Sequence, residues 1–326
     1  MRQDPIDPVG DRTVLRRDPD RGRLRVPRPL PDGECLVTVS LGVSLPQFTS
    51  DPDRVIGSAL RAEAVGLDSV WLFDHMWPLS GGKERPIFEQ WSTLAYVAAA
   101  TERITVGTMV TRSSLRHPAV LAKMAATVAT IAPGRLVLTL GSGDSLSRAE
   151  NQAFGIPYFA GDDRTRQLVS TLSLLRAFMS GQPITAMDEF ASIEALPSSP
   201  EVASPPRLWM AGNSRAVRDA ARRTADGWNA WGKDAAWFRE RARGLARDGF
   251  ELTWGGVGVL DTDDERGSAA LGTDFPERHV WGPAERFAST LRDLVDAGAG
   301  HLVVTFPKAT PETFEALATT VRPLLV

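Results

Sequence analysis

The sequence predicts an α/β fold, a (β/α)8 TIM barrel with insertions, and three observations carry that expectation. Strand-like apolar runs alternate with helical stretches from residue 36 onward. The runs are apolar on successive residues, as strands covered on both faces of a parallel sheet must be. Eight such units fit within 326 residues, enough for one barrel of roughly 250 residues with insertions. A doubly wound open sheet is the other arrangement these units allow.

Residues 1–34 repeat Arg, Asp and Pro without apolar periodicity, which predicts a flexible amino-terminal arm before a single barrel domain over 35–326. Leu36 to Leu45 reads as the first strand and stops at Pro46. Asp51-Pro52 opens a helix, since Asp caps free N–H groups and Pro fits the first turn. Val55, Ile56, Ala59, Leu60 and Ala64 follow at helical spacing, and Gly66 supplies the left-handed residue that ends it. Ser69 to Phe73 is the second strand. Helix 91–100 and strand 104–109 come next, then helix 118–131 and strand 136–140. A long helix over 164–179 and a Pro/Ser-rich passage, 196–206, lead to strand 208–211. Helix 216–224 precedes strand 227–230. The glycine-rich run 254–260 is the seventh strand, and polar residues 261–272 read as an active-site loop or lid. Gly282-Pro283 opens a helix carrying Phe287, Leu291, Leu294 and Val295, which Gly298 closes. His301 to Phe306 is the last strand, and a helix runs from about Glu312 to Leu324.

Composition excludes several function classes. The formal net charge is -3 with no Lys/Arg cluster, so nucleic acid is not an expected partner. No apolar run approaches the roughly 20 residues a membrane helix needs, and the first residues lack the apolar core of a signal peptide. The one cysteine, Cys35, has no partner for an internal disulfide, which fits a cytoplasmic protein. Four histidines and no His-x-His on the first strand leave no expected catalytic metal. Nine Trp stand against two Tyr; several Trp fall near strand ends, where they either wall a flat ligand or pack between barrel and helices.

In a parallel barrel the chemistry lies where strands end. Those ends read Asp74-His75-Met76-Trp77, Met109-Val110-Thr111-Arg112, Gly141-Ser142-Gly143-Asp144, Gly212-Asn213-Ser214-Arg215 and Trp228-Asn229-Ala230-Trp231. His75 is the candidate acid–base, with adjacent Asp74 placed to bias its tautomer or charge; a packing histidine is the other reading. His117 starts a helix and reads equally as a backbone partner, His301 reads as structural, and His279 is open. Gly141-Ser142-Gly143 lets backbone N–H groups approach a planar ring or an anion. Gly212-Asn213-Ser214 precedes a helix whose amino end favours a phosphate. The glycines complete no dinucleotide fingerprint.

The stretches VWLFDHMWP, GTMVTRSSLRHPAV, GSGDS, PPRLWMAGNSRAVRDAARRTADGWNAWG and GPAERFASTLRDLVDAGAGHLVV together resemble the bacterial luciferase-like oxidoreductases. The resemblance covers nearly everything after residue 36. It implies hydride transfer between a flavin-type cofactor and a small alcohol, carbonyl, imine or activated alkene. One branch of that superfamily uses FMN with oxygen, as monooxygenases fed by a partner flavin reductase. The other uses the 8-hydroxy-5-deazaflavin coenzyme F420, and the third- and fourth-strand segments resemble that branch more closely. A flavin-binding barrel without turnover is a further possibility within the superfamily. By resemblance, Asp74 and His75 lie beside the reactive ring face, with His75 carrying the substrate proton. Trp77 lies near an aromatic that steadies substrate charge, and Asp144 falls where sugar-oxidising relatives place an acidic Glu. Met109–Val110 would form a cis peptide behind the ring. Gly141, Gly143, Ala211, Gly212 and Asn213 would line the ring or phosphate. Arg112 and Arg116 would meet an acidic substrate or the cofactor tail, or else form salt bridges. The resemblance also implies a homodimer packed through helices of the second and third units.

Overall fold

The computed structural model describes residues 39–78, 82–145, 147–261 and 280–325. The expected arm over 1–34, Cys35, His279 and all but the first residue of the expected 261–272 loop lie outside these residues. Eleven strands are described: β1 Ser40–Ser44, β2 Ser69–Leu72, β3 Thr105–Arg112, β4 Leu136–Gly141, β5 Ile184–Met187, β6 Ser192–Leu196, β7 Arg207–Ala211, β8 Gly227–Trp231, β9 Glu251–Leu260, β10 Val280–Gly282 and β11 His301–Thr305. Eight of them pair in parallel in the order β1-β2-β3-β4-β7-β8-β9-β11, and β11 returns to β1, so the sheet closes into a barrel. An open sheet is excluded by that last pairing. β5 and β6 form an antiparallel hairpin, inserted before β7 ahead of the Pro/Ser-rich passage, where the sequence reading set no strand. β10 extends the sheet from β9.

Helices follow the strands as the caps dictate. Asp51 accepts from Asp53 N–H at the start of Pro52–Ala64, and Glu89 accepts from Trp91 and Ser92 N–H to start Gln90–Ala100. His117 caps Pro118–Ile131 through Nδ1, the backbone role its position allowed. The last helix is shorter than its periodicity implied: Pro311–Ala316 is α-helical and the turns to Leu324 widen and then tighten. Among the described residues no helix is long and apolar enough to cross a membrane.

The amino end of the barrel is filled by a tryptophan stack. Trp71 and Trp209 lie with ring centroids 5.4 Å apart, and His301 meets both edge-on. Glycines make the room. A Cβ at Gly107 would lie 2.3 Å from the Trp71 ring, and one at Gly227 2.7 Å from Trp209. Ser69 Oγ accepts from Trp71 Nε1 and shares a hydrogen bond with His301 Nε2, 2.7 Å away. Burial pushes the His301 imidazole down to about 3. Its folded value lies below the ordinary 6.5, so the neutral ring stabilises the fold fully above pH 6.5. That contribution drains as pH falls toward 3, by about 1.4 kcal/mol per pH unit. Urea midpoints should therefore drop between pH 7 and pH 5, and drop less in His301→Gln; equal drops would assign the slope to other groups.

Candidate active site

At the opposite end, the exits of β2, β3, β4, β7 and β8 converge. Two buried glutamines hold the β2 exit. Phe73 N–H donates to Gln47 Oε1 at 2.6 Å while Gln47 Nε2 returns a bond to Phe73 O at 2.9 Å. Gln90 Nε2 donates to Leu72 O at 2.7 Å, and Thr111 Oγ1 donates to Gln90 Oε1 at 2.8 Å. Neither glutamine was singled out in the sequence, because amide side chains carry no periodic signal of their own.

Beyond Phe73 the chain passes through Asp74 and His75, and the two side chains part. Asp74 is 2% exposed. Arg116 grips both its oxygens, at 2.7 and 2.9 Å, and the Arg112 N–H donates to Oδ2 at 2.9 Å. The expected Asp74–His75 pairing is therefore corrected: the Asp74 carboxylate is taken by Arg116 and the Arg112 N–H, not by the neighbouring ring. The carboxylate on the imidazole is Glu150, whose Oε2 lies 3.3 Å from His75 Nδ1. Glu150 Oε1 accepts from the Met76 N–H, and from the Trp77 N–H at 3.3 Å. Arg112 Nη2 lies 2.8 Å from Oε2 as an ion pair, without the alignment of a hydrogen bond. Burial raises the Glu150 carboxyl, yet the bonds from His75 and Met76 and the Arg112 charge together hold it below the usual range. His75 Nε2 has no partner among the described residues.

Arg112 and Arg116 turn inward rather than toward an anion. Arg112 Nε donates to Asp74 O at 2.8 Å, and Arg116 also pairs with Glu89 at 2.6 Å. The salt-bridge reading holds for both. Trp77 is half-buried at the rim, with Lys83 Nζ 4.2 Å from its ring centroid and Phe154 beside it. Asp144 is exposed; its Oδ1 accepts from Ser147 N–H and Oγ, both at 3.0 Å, and so caps the helix Ser147–Ala153.

The floor of the mouth is apolar. The peptide between Met109 and Val110 is cis, and the β3–β4 register shifts there between Thr108 and Thr111. Met109 joins the tryptophan stack, and Val110, Phe73 and Trp231 pack on it half-exposed. Phe73 and Trp231 meet edge to face at 5.9 Å. Asn213 fixes the Trp231 backbone, donating Nδ2 to Trp231 O at 3.1 Å and accepting Trp231 N–H at 3.3 Å. Of the nine Trp, Trp77 and Trp231 thus face the mouth, whereas Trp71, Trp91, Trp209, Trp228 and Trp254 are fully buried. Gly141, Gly143, Ala211 and Gly212 form the two strand exits, and Ser214 caps the helix Arg215–Thr224 through Val217 N–H. Asn229 Oδ1 and Thr139 Oγ1 are buried without a partner among the described residues. Both share strand faces with Gly227 and Val137, which line the stack, so both point into the barrel. A flat ring with an anionic tail fits this set: apolar floor, open backbone exits and a helix amino end. Among the described residues no three His, Cys, Asp or Glu side chains are placed to hold a metal.

Residues 35–252 match the family model described as luciferase-like monooxygenase. The chain is 33% identical to the F420-dependent hydroxymycolic acid dehydrogenase of Mycobacterium tuberculosis, over 60% of this chain and 53% of that one. It is 32% identical to an F420-dependent glucose-6-phosphate dehydrogenase of Beutenbergia cavernae, over 54% of this chain and 52% of the relative. The aligned region thus spans about half the length of these curated relatives. Among solved structures, an F420-dependent secondary alcohol dehydrogenase in complex with an F420–acetone adduct superposes with a TM-score of 0.78 at 18% identity, covering 89% of this chain and 99% of that one.

Proposed function

The chain belongs to the luciferase-like monooxygenase family, and on that premise we propose that it is an F420-dependent oxidoreductase acting on a small organic substrate in the barrel mouth. The observation that carries this reading is His75, an imidazole at the β2 exit two residues past Phe73 of the apolar floor, tethered at Nδ1 and without a bond at Nε2 among the described residues. The F420-dependent relatives support the choice of coenzyme over FMN. When bound, the deazaflavin supplies or takes up the hydride.

The chain's own residues do the rest. Met109, Val110, Gly141, Gly143, Ala211, Gly212 and Asn213 would hold the ring and its phosphate. Phe73, Val110 and Trp231 exclude water beneath the substrate, and Trp77 walls it at the rim. His75 Nε2 takes the hydroxyl proton of an alcohol being oxidised, or returns one to a reduced product. Substrates of this chemistry are alcohols, carbonyls, imines and activated alkenes. We place the enzyme in the cytoplasm as a homodimer, with Tyr96 and Val120, each more than half exposed on neighbouring helices, on the shared face. Sedimentation should give twice the chain mass, and a monomer would refute the dimer.

Anaerobic mixing with oxidised F420 and a panel of secondary alcohols tests the activity. Loss of deazaflavin absorbance with one alcohol class is the expected result. Oxygen uptake with reduced FMN and a reductase, and no F420 turnover, would instead make the chain a monooxygenase; F420 binding without turnover on any panel would leave a binding barrel.

A further inference from the structure

We propose that Glu150 is a positioning residue for His75, fixing the imidazole with its proton on Nδ1 and its lone pair on Nε2 toward substrate, while Arg112 offsets the charge that Glu150 would otherwise impose on the ring. The proposal rests on the role given to His75 above. Glu150 is 1% exposed and sits on the short helix Ser147–Ala153, far from His75 in the chain. An ionised carboxylate only accepts, so the ring nitrogen facing it must donate. The same carboxylate holds the Met76 and Trp77 N–H groups, so it sets the backbone on the carboxyl side of His75 as well as the ring.

The charges around the imidazole come from every side. Glu150 faces it from the helix after β4, and Arg112, from the end of β3, is paired to the same oxygen. Asp74 in its own segment is neutralised by Arg116 from the loop after β3, and Glu89, before Gln90–Ala100, pairs with that Arg116. Lys83 stands farther out, over Trp77. Arg112, paired to the same oxygen, lets the carboxylate orient the ring with less net negative charge beside it.

The test uses the full chain with nitrogen-15-labelled histidine. In the native protein the neutral His75 ring should show its proton on Nδ1. In Glu150→Gln the population should shift toward the Nε2 proton. F420 turnover should fall roughly 100-fold, with KM and coenzyme affinity little changed. The acid limb of the pH profile should move to lower pH in Glu150→Gln and to higher pH in Arg112→Met. Glu150→Asp keeps the charge with one methylene less reach and should restore part of the loss; it stands in if Glu150→Gln does not fold. An unchanged tautomer, or acid limbs displaced the same way in both variants, overturns the proposal. A shifted tautomer with no F420 turnover in any variant, native included, would sink the proposed activity and leave the Glu150 role standing.

Discussion

Replacing His75 with Ala is expected to slow F420-linked turnover about a thousandfold while leaving coenzyme affinity nearly unchanged. A positioned general acid–base contributes roughly 100- to 10,000-fold, and no second imidazole among the described residues stands at the mouth: His117 caps a helix and His301 lies under the tryptophan stack. Stability should change by less than about 1 kcal/mol. His75 lies at the rim, and Glu150 keeps the Met76 and Trp77 N–H groups and Arg112 when the imidazole is gone. Single-turnover rates, a fluorescence titration and a thermal melt separate the three effects. Turnover that survives in His75→Ala removes the proton assignment; turnover and affinity lost together make His75 part of the coenzyme site instead.

Asp74→Ala should have the opposite signature: a loss of about 3 kcal/mol in folding stability, with any loss of turnover following from displacement of the strand exit. Removing one partner of a buried ion pair costs roughly 3–5 kcal/mol, because the other charge stays buried and unpaired. Arg116 retains Glu89, which is partly exposed, so the lower end of that range applies. The Arg112 N–H loses its acceptor as well. Asp74→Asn keeps the shape and an acceptor oxygen and should lose less. Urea unfolding orders the three proteins; native-like stability in Asp74→Ala would mean that the Arg116–Asp74 pair does not hold the β2 exit.

These two residues also show what a sequence can and cannot tell about such a site. Strand ends are legible because apolar runs stop at them, and closure into a barrel makes those ends converge, so the places of His75, Gly141 and Asn213 at the mouth could be read without any contact information. Helix starts were legible where Asp51 or a proline marks them. Pairing was not legible. Asp74 adjoins His75 in sequence, yet its carboxylate is held by Arg116 while the ring turns to Glu150. Glu150 meets His75 across 75 positions, from a short helix, SRAENQA, whose charged residues read as a solvated surface. Its one available signal was an acidic residue just past a functional strand end. Arg112 and Arg116 read from sequence either as anion partners or as salt-bridge residues, and the choice was not legible because their carboxylate partners come from other units of the barrel. The β5–β6 hairpin was missed because its strands are short, largely exposed and so carry no continuous apolar run.

Fluorescence titration of the purified chain with F420 and, separately, with FMN tests the assignment of the coenzyme. Quenching should saturate tightly with F420 and weakly or not at all with FMN. Tight binding of FMN with no response to F420 would contradict it and move the barrel mouth from deazaflavin hydride transfer to oxygen chemistry.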